Sequence, residues 1–155
     1  MDLVLPPIEA YQVQHLPIVK AYADKIGLVE VINPLMPTEM DVDPGTMVLG
    51  RILDTLSGRS PLYRLAAFMA QHDTALLLGK AVPAEAFNDD PAGRVLDRLS
   101  DTGPMQVFTA CAVRADQVFG FDKRSVHFDT TSVTVDGDSL PPEESKEQTL
   151  PFRIT

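Results

Sequence analysis

Between residues 17 and 120 apolar positions recur every three to four residues, in runs broken by Pro and Gly. That spacing marks one face of an amphipathic helix. Pro17 suits a first helical position and Gly27 a C-terminal stop, with Ile18, Ala21, Tyr22 and Ile26 between them at helical spacing. A second short apolar segment, Leu28 to Leu35, is ended by Asn33-Pro34, because the residue before a proline is pushed out of the helical region. Asp43-Pro44 pairs a capping carboxylate with a first-turn proline, and Val48, Leu49, Ile52, Leu53 and Leu56 then predict a helix to Ser57-Gly58 with Arg51 on its opposite face. Ser60-Pro61 repeats the start signal for Leu62, Leu65, Ala66 and Met69, and Thr74 to Leu78 gives a further short helical turn closed by Gly79.

Residues 82–87 have the composition of a linker. Asn88-Asp89-Asp90-Pro91 is the strongest helix start in the chain. Ala92, Val95, Leu96 and Leu99 form the apolar side of the helix that follows, with Arg94 and Arg98 four residues apart on the outer side. Thr102-Gly103-Pro104 stops that helix and begins another, in which Phe108, Cys111, Ala112, Ala115, Val118 and Phe119 run to Gly120. Two helices joined by a tight Gly-containing turn read either as a DNA-binding helix-turn-helix or as an ordinary αα-hairpin. The second helix, which would have to enter the groove, carries Arg114 as its one cation and also Asp116, so the hairpin reading leads.

The period changes after residue 124. Val126, Phe128, Thr130, Thr131, Val133, Thr134 and Val135 are the β-branched and aromatic residues that suit a pleated strand. Val126 and Phe128 share one face and Val133 and Val135 the other, so the stretch holds a bulge or two short strands with an irregular link. Asp136-Gly137 is a hairpin-turn dipeptide, yet the Pro- and Glu-rich residues after it make a poor second strand. Asp129 sits mid-strand, where an acidic residue is locally disfavoured, and local rules tend to be broken at functional sites.

Composition narrows the classes. The 155 residues, 45% hydrophobic and 23% charged, suffice for one domain with a core, and no apolar run reaches the roughly 20 residues of a membrane-spanning helix. Cys111 is the single cysteine and the N-terminus lacks the pattern of a secretory signal, so the expected compartment is the cytoplasm. A formal charge of −9 opposes a dedicated DNA-gripping domain, because phosphate neutralisation by a basic face supplies much of such affinity. There is no internal repeat, phosphate-cradling Gly loop or Cys/His cluster.

Residues 126–132 (Val-His-Phe-Asp-Thr-Thr-Ser), with Gly137 after them, resemble the first catalytic strand of DDE-type insertion-sequence transposases. Upstream, residues 57–63 (Ser-Gly-Arg-Ser-Pro-Leu-Tyr), Leu78-Gly79, and Asn88-Asp89-Asp90 with residues 93–98 (Gly-Arg-Val-Leu-Asp-Arg) are similar to the helical N-terminal region of one such family. That region is itself a domain of unknown function. The likeness spans roughly residues 10–138, in order.

The resemblance implies a mainly α chain. A helical N-terminal domain over residues 1–122 would be followed, over 123–138, by one or two strands that open an incomplete RNase-H-like catalytic domain. Residues 139–155 would be a disordered or frameshifted tail. Asp129 then becomes the first acidic residue of the catalytic set, helping to hold two Mg²⁺ or Mn²⁺ ions. The family's other acidic residues lie on later elements that residues 139–155 do not match, so the expectation is a truncated transposase without activity of its own. The other expectation is a non-catalytic helical module, one that binds transposon-end DNA or pairs with a second copy of the chain. Its candidate cations are Arg94, Arg98 and Arg59, with Arg51 and Arg64 beside them. A helical domain with a frayed β tail and no activity is the plainest reading.

Overall fold

Proline and glycine divide the chain into helices much as their backbone preferences require. In the computed structural model residues 11, 13–58 and 60–124 are described, and among them seven α-helices and two 3-10 turns occur without a strand. The order is α1 (Leu16–Ile26), α2 (Leu28–Ile32), α3 (Pro44–Leu56), a 3-10 turn (Leu62–Arg64), α4 (Leu65–Met69), α5 (Thr74–Leu78), a 3-10 turn (Ala84–Phe87), α6 (Asp89–Thr102) and α7 (Pro104–Phe119). The protein is therefore mainly α. The chain falls into two compact units, residues 1–121 and residues 122–155. The strand and hairpin expected around Asp129 fall outside the described residues.

The predicted caps at Asp43 and Asn88 form, and Asp73, not among the expected starts, caps α5. Asp43, Asp73 and Asn88 each accept a hydrogen bond from an amide of the turn that follows, at 2.9, 3.1 and 3.1 Å. Gly27, Gly79 and Gly120 close α1, α5 and α7 with positive φ, the conformation glycine reaches without strain.

α3 is the central element, packed against α1, α2, α4, α5 and α6. Its inward side carries Met47, Leu49 and Leu53, and Gly45 and Gly50 are buried with them. A Cβ built on Gly45 would lie 2.8 Å from the Val29 Cα and carbonyl oxygen of α2. That approach is backbone on backbone, so neither helix can give way. At Gly50 the space is taken by Met69 from α4 and Phe87 from the second 3-10 turn.

Several local expectations change in the packed chain. Residues 82–87 are not a passive linker, because Ala84–Phe87 form a 3-10 turn and Phe87 is 0% exposed against α3. Ser60-Pro61 opens the 3-10 turn before α4 and provides no side-chain cap. α1 turns Leu16, Val19, Ala23 and Ile26 inward and leaves Ile18 and Tyr22 in solvent. α7 buries Val107 and packs Cys111 against the core, while Phe108 points outward. Both helices are apolar on more than one side, so their period does not say which side meets neighbours.

The close packing at these glycines generates a paired prediction. Gly45→Ala should cost about 1–3 kcal/mol of stability, the usual range for overpacking. Gly93, within α6, has nothing within 4 Å of a Cβ, so Gly93→Ala should stabilise by up to about 1 kcal/mol. Urea unfolding of both variants measures the difference. Equal effects would contradict the close approach of α2 and α3.

Candidate functional site

Arg94 and Arg98 lie one turn apart on α6, and the fold brings them to a single cleft. The segment Thr38 to Asp41 and the turn before α6 form its other sides, and they bring Glu39, Asp41 and Glu85 into the same cleft. Arg94 reaches back to the Asp90 carboxylate at 3.3 Å, and Arg98 donates to the Pro37 carbonyl at 3.1 Å. The cleft thus mixes both signs of charge, and its two cations already have oxygen partners within the chain. Arg59 and Asp129 lie outside the described residues.

The other two candidate cations do not join this cleft. Arg51, expected on the outer face of α3, instead hydrogen-bonds the Asp54 carboxylate at 2.5 Å and the Ser60 carbonyl at 2.7 Å. Asp54 is 1% exposed, and its second oxygen accepts from the Ser60 amide at 3.3 Å. A buried carboxylate needs such partners, so Arg51 and Ser60 act here as structural ties holding the α3–α4 connection. Arg64 stacks over the Tyr63 ring at 5.7 Å. The Arg51–Asp54 pair is three residues apart on α3 and open to sequence spacing, whereas the Ser60 contacts come from beyond the helix.

The start of α3 is a second polar centre. Asp43 accepts from the Thr46 amide and hydroxyl, each at 2.9 Å, and from the Lys80 ammonium at 2.5 Å. Burial pushes the carboxyl pKa up, but Lys80, the Thr46 amide, Asn33 and the Thr46 hydroxyl together outweigh it and hold the value at about 2. Beside it the Asn33 side-chain oxygen accepts from the Gly45 amide at 2.8 Å. These residues fasten three elements and leave no carboxylate turned to a ligand.

Between α3 and α6 runs an apolar groove of about 260 Å³, walled by Met47, Ile52, Leu62, Ala92, Val95 and Leu99. Small-molecule sites pair such apolar walls with a few convergent polar groups. Here Arg51 and Thr55 alone are polar, and Arg51 is bound to Asp54. Among the described residues no group of three or more His, Cys, Asp and Glu side chains is placed to hold a metal ion. Burial pushes the Cys111 thiol pKa above its ordinary value, away from the reactive thiolate. No described helix is long and apolar enough to cross a membrane.

The family model described as "Domain of unknown function (DUF4277)" matches residues 8–113, and the chain belongs to that family. No curated protein and no solved structure matches the chain. The matched span covers α1 to α6 and most of α7, so it includes the Arg94/Arg98 cleft and the Asp43 centre.

The Asp43 centre predicts a pH dependence. Its pKa of about 2 in the folded chain lies below the ordinary 3.8, so its stabilisation is complete above 3.8 and is lost as pH falls toward 2. Asp43→Ala should cost about 1 kcal/mol at pH 7 through loss of the cap. Asp43→Asn keeps an acceptor for the Thr46 amide but cannot ionise. Urea unfolding of wild type and Asp43→Asn should therefore show a stability gap that narrows as pH drops through that window. A gap independent of pH would exclude the charge of Asp43 as its source.

Proposed function

We propose that this member of the DUF4277 family is the helical N-terminal portion of a DDE-type insertion-sequence transposase, and that its helical unit assembles subunits rather than grips DNA. The transposase half of the reading is supported by the likeness of residues 126–132 and of the upstream helical phrases. The assembly half is carried by one observation. Arg51 is tied to Asp54 and Ser60, Arg94 and Arg98 direct part of their N–H donors to Asp90 and to the Pro37 carbonyl, and the cleft shared by Arg94 and Arg98 also holds Glu39, Asp41 and Glu85. Phosphate binding needs cations gathered on one surface and free of local carboxylates. A formal charge of −9 opposes it further.

Asp129 is the residue through which this chain would contribute to catalysis. Two Mg²⁺ or Mn²⁺ ions, where bound, would activate a water or 3′-hydroxyl and stabilise the leaving oxygen of a phosphodiester. The resemblance maps one acidic residue of the catalytic set onto these residues, and one carboxylate does not clamp two metal ions, so the expectation is that the 155 residues by themselves leave DNA uncut.

Transposon-end binding is the second reading, and the shared cleft of Arg94 and Arg98 is what favours it. The two readings separate in solution. The purified chain should leave an element-end duplex intact with Mg²⁺ or Mn²⁺. At about 150 mM salt it should bind that duplex no more tightly than the roughly 10⁻⁴–10⁻⁶ M of non-specific contact, with no change in Arg94→Ala/Arg98→Ala. Metal-dependent cutting would overturn the expected inactivity. Nanomolar binding lost in the double variant would overturn the assembly role.

A further inference from the structure

α7 carries a second apolar seam that its own domain leaves largely open, with Ala115 half-buried within it. Met105, Phe108, Ala112, Ala115 and Phe119 follow one another at alternating steps of three and four residues. That is the 3.5-residue repeat of a helix pairing with another helix, distinct from the inward side built on Val107 and Cys111. Met105 is 72% exposed and Phe108 66%. At its far end the seam runs into an aromatic cluster, with Phe119 5.7 Å from the Tyr22 ring and 6.0 Å from the Phe121 ring. Ile18 extends the patch one turn back along α1 from Tyr22, and all three of Ile18, Tyr22 and Phe121 are exposed.

Taking about 200 Å² for each large side chain, the six large residues of this surface leave roughly 600–700 Å² open to solvent. A standard stable interface buries about 800 Å² per partner, so a patch of this size needs only its rim to reach that area. The charge pattern narrows the occupant. Residues 104–113 carry no charge, although the whole chain has a formal charge of −9. A basic partner would be drawn to the acidic surface rather than to this uncharged stretch of α7. Two copies of an acidic chain meet with least repulsion along such a stretch, and at the aromatic end the charge over the Tyr22 ring is a cation, the Lys25 ammonium at 5.5 Å.

From this geometry we propose that α7 is a homodimerisation helix, pairing antiparallel with α7 of a second copy about a two-fold axis near Ala112. The proposal rests on the assembly reading and gives it a partner. Side-chain size sets the direction. In the antiparallel pair Phe108 faces the partner's Ala115, and Met105 faces the partner's Phe119, so large meets small near the middle and the bulky residues close the ends. In a parallel pair each seam residue would meet its own copy, so Phe108 would crowd Phe108 and the alanines at 112 and 115 would leave gaps. The contact is isologous, as a two-fold axis requires.

The test is sedimentation equilibrium of the full 155-residue chain over a concentration series. A concentration-dependent dimer is expected, and raising salt should strengthen it, because screening removes repulsion between acidic copies. Phe108→Glu, checked for native helix content by circular dichroism, should weaken the dimer about 30-fold or more, as loss of a central anchor does. A second pair of variants keeps the proposal testable if that chain fails to fold. In a Cys111→Ser background, Ala112→Cys should oxidise to a disulfide-linked dimer, whereas Ala115→Cys, which faces the partner's Phe108, should not. Cross-linking through both positions would overturn the antiparallel arrangement. A dimer indifferent to Phe108→Glu, without the Ala112→Cys cross-link, would overturn this surface and leave the assembly role standing. A chain monomeric at every concentration would overturn both, with the seam then covered by the chain itself or by an unlike partner.

Discussion

A helix cannot begin inside a protein core with its first amide hydrogens unpaired, and α3 begins there. Pro44, Gly45, Thr46 and Met47 are all buried. Pro44 has no amide hydrogen to satisfy. The Gly45 amide donates to Asn33, the Thr46 amide to the Asp43 carboxylate, and the Met47 amide to the Asp43 carbonyl. Each of these groups, left unpaired, would cost on the order of 1–3 kcal/mol. Asn33 and Asp43 are therefore fixed by a single requirement, and Lys80 draws the residue after α5 into the same centre. Gly45 is fixed by it as well, because only without a Cβ can α3 come close enough to α2 for Asn33 to reach.

Once α3 is seated, its remaining sides position the other helices. Gly50 receives Met69 and Phe87, which brings α4 and the turn before α6 onto the same helix. Asp54 holds Arg51 and the Ser60 amide, which sets the connection leading into α4. Thr102, at the end of α6, donates to the Leu35 carbonyl at 3.4 Å and ties that end to the loop after α2. α7 then lies against α1 and α2 with only Val107 fully buried. α7 is thus the long helix least absorbed by the core.

Caps and breaks were readable in the sequence because they are local chemistry. Asp43-Pro44, Asn88 and the closing glycines act through bonds within four residues of themselves. What escaped depends on residues far apart in the chain. Asn33 reads as the end of a segment before Pro34, and nothing nearby reveals that its side chain serves an amide at residue 45. Phe87 is a lone aromatic among Pro, Ala and Glu, and a 3-10 turn that buries one residue has no period to detect. For α1 and α7 the pattern gave too much rather than too little, since each has two apolar stripes. The candidate cations followed the same rule. The spacing of Arg94 and Arg98 placed both on the outside of α6, but the sign of their surroundings is set by Glu39 and Asp41, more than 50 residues away. Asp129 belongs to residues that the structure does not describe.

These ties have an electrostatic consequence. Arg51 and Lys80 are bound to Asp54 and Asp43, so part of the small complement of 13 basic residues is consumed in holding the fold together. A cation used in this way contributes little to an outward field, and the surface facing a distant phosphate is governed by the excess of acidic residues. Such a surface attracts a distant phosphate weakly, and the proposed pairing of two copies draws instead on short-range apolar contact. The two stripes of α7 express that division of labour within one helix. One stripe closes the core built on α3, and the other carries large side chains and no charge where the acidic surface gives way.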